Sequence, residues 1–173
     1  MDPSKIDGVR RAFQGSADIA KAELAKRAAE GHERNKMRGF YPETGPLRRE
    51  LYPKHMAFFA AGKTKHSRLC VSGNRIGKSE GILCYELTCH ATGLYPTWWV
   101  GYRFNRPSSA LVAGKTSETT RDILQAKLFG KTRRDPDKRG ESIGLGTGMI
   151  PAHLIISTTP KAGIPDGLDT VWV

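Results

Sequence analysis

Residues 67–81 read SRLCVSGNRIGKSEG, and the order of features in this run decides the reading of the fold. A short apolar segment, 67–71, has the character of a buried strand and leads straight into small and polar residues. From Lys78 to Thr92 a helix fits, with Ile82, Leu83, Tyr85, Glu86 and Leu87 on its faces and Gly93 as its stop. Strand, glycine loop and helix follow one another without a gap.

Within the run, Ser72-Gly73-Asn74-Arg75-Ile76-Gly77-Lys78-Ser79 meets the phosphate-loop pattern G-x-x-x-x-G-K-[ST] at every defined position but the first, where Ser72 replaces glycine. The spacing has a physical reason. The backbone must wrap around an anion so that successive N–H groups converge on it, and small residues at the turn points permit that approach. Lys78 then reaches the outer phosphates, the Ser79 hydroxyl can ligate Mg²⁺, and the following helix points its positive end at the anion. The competing reading is a glycine turn that merely precedes a helix; the flanking strand and helix weigh against it. Arg75 has two open readings, a cation that stabilises charge on a transferred phosphoryl group and an anchor to a neighbouring carboxylate. Hydrolysis would also need an acidic residue on an adjacent strand for Mg²⁺ and a carboxylate to orient water. No apolar strand here is followed by Asp-Glu, so binding follows more directly than turnover.

Outward from the loop, residues 53–61 (PKHMAFFAA) open with a proline suited to a first helical turn and end before Gly62. Residues 110–114 (ALVAG) form a second strand candidate, Ser117 can cap a helix carrying Ile123, Leu124 and Leu128, and 154–158 and 169–173 are further strand candidates. Between Gly130 and Gly148 the sequence turns charged and then glycine-rich, which predicts an exposed loop. Strands alternating with helices imply an α/β fold with a largely parallel sheet flanked by helices. The N-terminal part, 1–50, reads as a helical arm and linker: 16–37 is rich in Ala, Glu, Lys and Arg with Ser16 as its cap, and 39–46 (GFYPETGP) is a linker or ordered loop. The domain proper is 51–173.

Composition sets the outer limits. The 173 residues are 38% hydrophobic and 26% charged, which fits a globular domain and excludes collagen-like, low-complexity and disulfide-framework chains. No apolar run approaches the ~18–20 residues that cross a bilayer, and the start MDPSKIDGVRR lacks a secretory apolar stretch, so a cytosolic protein without membrane contact is expected. Cys70, Cys84 and Cys89 agree with a reducing compartment. Lys and Arg total 28 against 17 Asp and Glu, a net +11. A balance of that size favours polyanionic partners, with a plain solubility surface as the alternative.

The runs GPLRRELYPKHMAFFAAG, SGNRIGKSEG, TGLYPTWWVGYRFNRP, SETTRDILQAKLFG and GTGMIP, in this order from Phe40 onward, resemble the N-terminal ATPase region of the large terminase subunits of tailed bacteriophages. The resemblance implies an additional-strand P-loop NTPase fold that hydrolyses ATP with Mg²⁺ to drive double-stranded DNA into a procapsid. It also implies a small terminase subunit and a portal as partners, an oligomeric ring, and the cytoplasm of an infected or lysogenic bacterial host. Carried over by motif, Ser72 to Ser79 would bind phosphates, with Lys78 and Arg75 as the catalytic cations and Ser79 on Mg²⁺. Tyr52 and Pro53 lie where the family places adenine contacts. The family's acidic Walker B strand, catalytic Glu and nuclease carboxylates would lie beyond Val173, so the chain resembles the first part of a terminase, an incomplete ATPase domain. Outside that family, a helicase-like P-loop ATPase or a non-catalytic module that binds nucleotide or DNA fits the same loop.

Four further constellations have two readings each. Trp98, Trp99, Tyr102 and Phe104, interleaved with Arg103 and Arg106, offer a base-stacking surface or ordinary packing. Lys131, Arg133, Arg134, Lys138 and Arg139, against Asp135 and Asp137, offer phosphate contacts to DNA or a solvated charge run. Cys84, Cys89 and His90 invite a metal, but thiols five apart on a helix point about 140° apart, and they read instead as buried small side chains. Glu80 and Glu86 could be taken for catalytic carboxylates, although a first-turn Glu ordinarily partners the helix dipole.

Overall fold

The computed structural model describes residues 36–134 and 142–173, all within one compact unit, Asn35–Val173. The helix expected over 16–37 lies outside the described residues apart from Lys36 and Met37, which belong to a 3-10 turn, Lys36–Gly39.

Three helical segments surround the core. The first, α1, spans Pro53–Ala61, with proline where a helix has no use for an N–H, and it buries His55 and Phe59. The second, α2, starts as π-helical turns, Lys78–Cys84, and continues as an α-helix, Tyr85–Thr92. Gly93, at φ 69°, ends it in the left-handed conformation that suits glycine, and its N–H donates to the Cys89 carbonyl at 3.0 Å. The third, α3, joins Ser117–Thr119, the π-helical Thr120–Gln125 and Ala126–Leu128. Its cap is Thr116 rather than Ser117: the Thr116 hydroxyl accepts the Thr119 N–H at 3.1 Å. Among the described residues no helix is long and apolar enough to cross a membrane.

The described residues do not form the expected parallel sheet. The described residues contain two separate antiparallel pairs: β1, Arg133–Arg134, with β2, Ser142–Ile143, and β3, Ser157–Pro160, with β4, Leu168–Trp172. The expected parallel sheet flanked by helices, that of a P-loop NTPase, is therefore overturned by these local antiparallel pairs. Segments 67–71 and 110–114 run without assigned strand pairing, and Leu69, Val71 and Leu111 are 86%, 83% and 95% exposed. A parallel strand holds its place only between paired neighbours and under cover on both faces; these segments pair with no strand among the described residues, and only Cys70 and Val112 pack against the core. At the C-terminal end the pairing is local instead, through the short turn between β3 and β4, with Ser157 opposite Trp172 and a bulge after Thr159.

The core is aromatic. Met37, Tyr41, Phe59, Ile82, Cys84, Tyr85, Cys89, Trp99, Leu124, Leu128 and Met149 form one buried cluster. Tyr41 comes from the 39–46 segment, which is therefore an ordered loop and contributes to the core. The glycine-rich run is also partly packed: Gly148, Met149 and Ile150 are buried, and the Met149 and Ile150 N–H groups donate to the Lys127 and Leu128 carbonyls at 3.0 and 2.8 Å. A Cβ on Gly148 would lie 2.5 Å from the Leu128 carbonyl, so glycine is what allows this approach. Gln125 fastens α3 to the β3–β4 turn, donating to the Asp166 carbonyl and accepting from the Leu168 N–H, both at 2.8 Å.

Two outcomes follow from these placements. Thr116→Ala is expected to lower stability to urea by about 1 kcal/mol, whereas Ser117→Ala stays within about 0.5 kcal/mol; equal effects would place the cap wrongly. Burial pushes the Cys84 and Cys89 thiols up to about 11 and about 12. In the native protein at neutral pH a thiol reagent should therefore label the half-buried Cys70 first. Above pH 9 the unfolded chain releases protons that the folded chain retains, so stability falls as pH rises from 9 toward 11.

Candidate functional site

The loop expected to hold phosphate, 72–79, connects the extended segment to α2. Its path is set by two left-handed residues, Arg75 at φ 63° and Gly77 at φ 86°, the latter immediately before the helix. Glycine adopts that conformation freely, while arginine does so at a cost of about 1–2 kcal/mol. A strained non-glycine backbone inside a loop is a feature that functional sites share. The helix then opens widely, because the Gly77 carbonyl accepts from both Gly81 N–H at 2.7 Å and Ile82 N–H at 3.2 Å.

Lys78 folds back over this turn. Its ammonium donates to the Ser72 and Gly73 carbonyls, both at 2.7 Å, which draws the two ends of the loop together into a ring. An ammonium has three donors, so one proton beyond these two can serve an anion. The Ser72 Oγ is buried with no hydrogen-bond partner, so its donor is unused. Arg75 is exposed and makes no ion pair among the described residues.

Ser79 lies in the first turn of α2, where a hydroxyl can take one position on Mg²⁺. No cluster of three His, Cys, Asp or Glu side chains suited to a metal occurs among the described residues. The loop thus gathers a ring of backbone carbonyls, the cations Arg75 and Lys78, and the hydroxyls of Ser72 and Ser79. Glu80, the nearest acidic residue in sequence, is engaged elsewhere; its Oε2 accepts from Lys127 Nζ of α3 at 2.7 Å. Glu86 is likewise structural, buried against Arg68 at 2.9 Å and His90 at 3.6 Å.

The structure brings Tyr52 near the loop indirectly. Its ring lies 5.2 Å from His55, centroid to centroid, and a Cβ on Gly77 would be 3.4 Å from His55 Cε1. Pro53 serves as the first residue of α1. The basic patch is brought together only in part: Lys131 is exposed, Arg133 and Arg134 form β1, and Lys138 and Arg139 lie outside the described residues. In the aromatic run, Trp99 is core and donates from its indole N–H to the Tyr102 carbonyl at 2.9 Å, while Tyr102 and Phe104 stay exposed. Packing accounts for the tryptophans.

Sequence reasoning missed Tyr41 and His55. A signal existed: Gly81 lies inside a helix, where glycine costs about 1 kcal/mol against alanine and so implies a close neighbour. That neighbour is the Tyr41 hydroxyl, 2.7 Å from where a Cβ would be.

Comparison of the chain with family models, with curated proteins and with solved structures finds no match. What the site can do therefore rests on its own residues.

If the left-handed backbone at Arg75 is a real constraint, Arg75→Gly should be neutral or stabilising by up to about 1 kcal/mol, and Arg75→Val destabilising by a similar amount. Thermal denaturation of both variants decides this; destabilisation by glycine would contradict the loop geometry.

Proposed function

We propose that residues 72–79 bind the phosphates of Mg-ATP and that this chain is the ATP-binding part of a DNA-packaging motor of the large-terminase type. The observation that carries the nucleotide reading is the ring closed by Lys78 on the Ser72 and Gly73 carbonyls at the start of a helix. In it Gly77 supplies the turn, Arg75 and Lys78 the positive charge, and Ser79 an oxygen for Mg²⁺. When bound, Mg-ATP would supply a phosphoanhydride whose cleavage can be coupled to movement. The chain's own contribution is to orient the phosphates and neutralise their charge, with Glu80 kept from repelling them by its pairing with Lys127.

The packaging role rests on the resemblance of the five sequence runs and on the net charge of +11, which suits a polyanion. Double-stranded DNA is the proposed moved polymer, with Lys131, Arg133, Arg134, Lys138 and Arg139 as its phosphate contacts. A small terminase subunit, a portal and assembly as a ring belong to the same proposal, as does the bacterial cytoplasm. A second reading, binding without turnover, is favoured by one observation: both carboxylates nearest the loop in sequence, Glu80 and Glu86, are committed to ion pairs.

Titration with a fluorescent ATP analogue in the presence of Mg²⁺ should show Lys78→Ala binding about 10- to 100-fold more weakly, the loss of a charge-assisted contact. Equal affinities would sink the phosphate-loop reading. ATP turnover measured on the same pair separates motor from module, since a native rate no higher than that of the variant would leave binding alone. For duplex DNA, five phosphate contacts imply a slope of about −4.5 in log affinity against log salt; a salt-insensitive signal would remove the basic patch from the interface.

A further inference from the structure

Beneath the phosphate loop lies a buried polar group that none of the roles above uses. Tyr41, from the loop before α1, sends its hydroxyl into the start of α2, where it donates to the Gly81 carbonyl at 2.8 Å and meets His55 Nδ1 at 2.7 Å. Both side chains are buried. His55 comes from α1, and its Cε1 edge faces Gly77 and Gly81, at 3.4 and 3.5 Å from where their Cβ atoms would be. Three segments distant in sequence thus converge on the two glycines that bracket Lys78, Ser79 and Glu80.

We propose that Tyr41 and His55 are positioning residues for the phosphate loop, holding the Gly77–Gly81 turn in the open form from which Lys78 and Ser79 address the phosphates. The proposal rests on the nucleotide reading given above and deepens it. A widened first turn, in which one carbonyl serves two N–H groups, is not the resting form of a helix, and something must hold it. Tyr41 does so from below: its hydroxyl occupies the space a side chain at position 81 would need, and it bonds the carbonyl of that residue. His55 fills the gap beside Gly77 and ties the hydroxyl to α1. The hydroxyl has a single proton, so donation to Gly81 requires His55 to donate from Nδ1, whereas donation to His55 releases Gly81. Burial lowers the affinity of His55 for a second proton, opposed by its hydrogen bond with the Ile76 backbone, and the tautomer of the ring decides which bond the Tyr41 hydroxyl makes.

Tyr41→Phe removes the hydroxyl and keeps the ring, so the core is retained. The expected result is faster amide exchange across residues 73–82 and an affinity for the Mg-bound fluorescent ATP analogue about 3- to 10-fold weaker, the worth of one buried hydrogen bond. His55→Leu should behave alike, and His55→Gln, which keeps a donor and an acceptor, should recover much of both readouts. Gly81→Ala supplies the independent arm. Its methyl collides with the Tyr41 hydroxyl at 2.7 Å, so the single variant should lose affinity, and adding Tyr41→Phe should relieve the collision and raise the melting temperature above that of Gly81→Ala alone. Native-like exchange and affinity in Tyr41→Phe, with Lys78→Ala impaired in parallel, would overturn the positioning role and leave the nucleotide reading intact. If neither native protein nor Lys78→Ala binds the analogue, the nucleotide reading fails, and unchanged exchange in Tyr41→Phe would separately overturn the positioning.

Discussion

The placement of Tyr41 is the constraint on which the described structure depends most. Its ring meets Tyr52, Phe59, Tyr85 and Trp98 edge-on, with centroids 5.0–5.9 Å apart, an arrangement that the ring quadrupoles favour. Its backbone is left-handed at φ 56°, unusual for a residue with a side chain. The edge contacts, each worth about 0.5–1.5 kcal/mol, together outweigh the ~1–2 kcal/mol that such a backbone costs. Arg49 reinforces the position, donating to the Tyr41 carbonyl at 3.1 Å while its guanidinium lies 5.2 Å from the Trp98 ring centroid. α1, α2 and the 95–99 segment are thereby organised around one side chain, and the ionisation of its hydroxyl is pushed up chiefly by burial.

From that hub the phosphate loop receives its support from below, and the Glu80–Lys127 pair joins its helix to α3 from the side. The loop itself is closed by Lys78, whose ammonium donates to the Ser72 and Gly73 carbonyls. A rigid base carrying a locally strained, polar rim is the arrangement that lets binding proceed without reordering the chain.

Local chemistry was legible in the sequence, and long-range placement was not. Pro53 and Gly62 bound α1, Gly93 ends α2, and the spacing of Leu124 and Leu128 marks the buried face of α3, because each depends on residues within a turn or two. The cap at Thr116 was misplaced by one residue since adjacent Thr and Ser both satisfy the pattern. The parallel sheet failed for a deeper reason. Short apolar runs such as 67–71 and 110–114 state that a segment favours extension, but not which segment, if any, lies alongside; pairing is a property of the whole chain. In the site, the loop's own residues could be named from spacing, whereas Tyr41 and His55 come from segments 40 and 22 positions before Gly81 and Gly77 and left only the helical glycine as a trace.

The extended segments that carry Leu69, Val71 and Leu111 into solvent have a consequence for how the protein behaves in bulk. Unpaired apolar strands are templates for association with any similar strand, including those of other copies. The net charge of +11 opposes that by mutual repulsion, with a range that shrinks from ~30 Å at 0.01 M salt to ~3 Å at 1 M. Colloidal stability thus depends on the surplus of lysine and arginine, and in concentrated salt the chains lose that protection from one another.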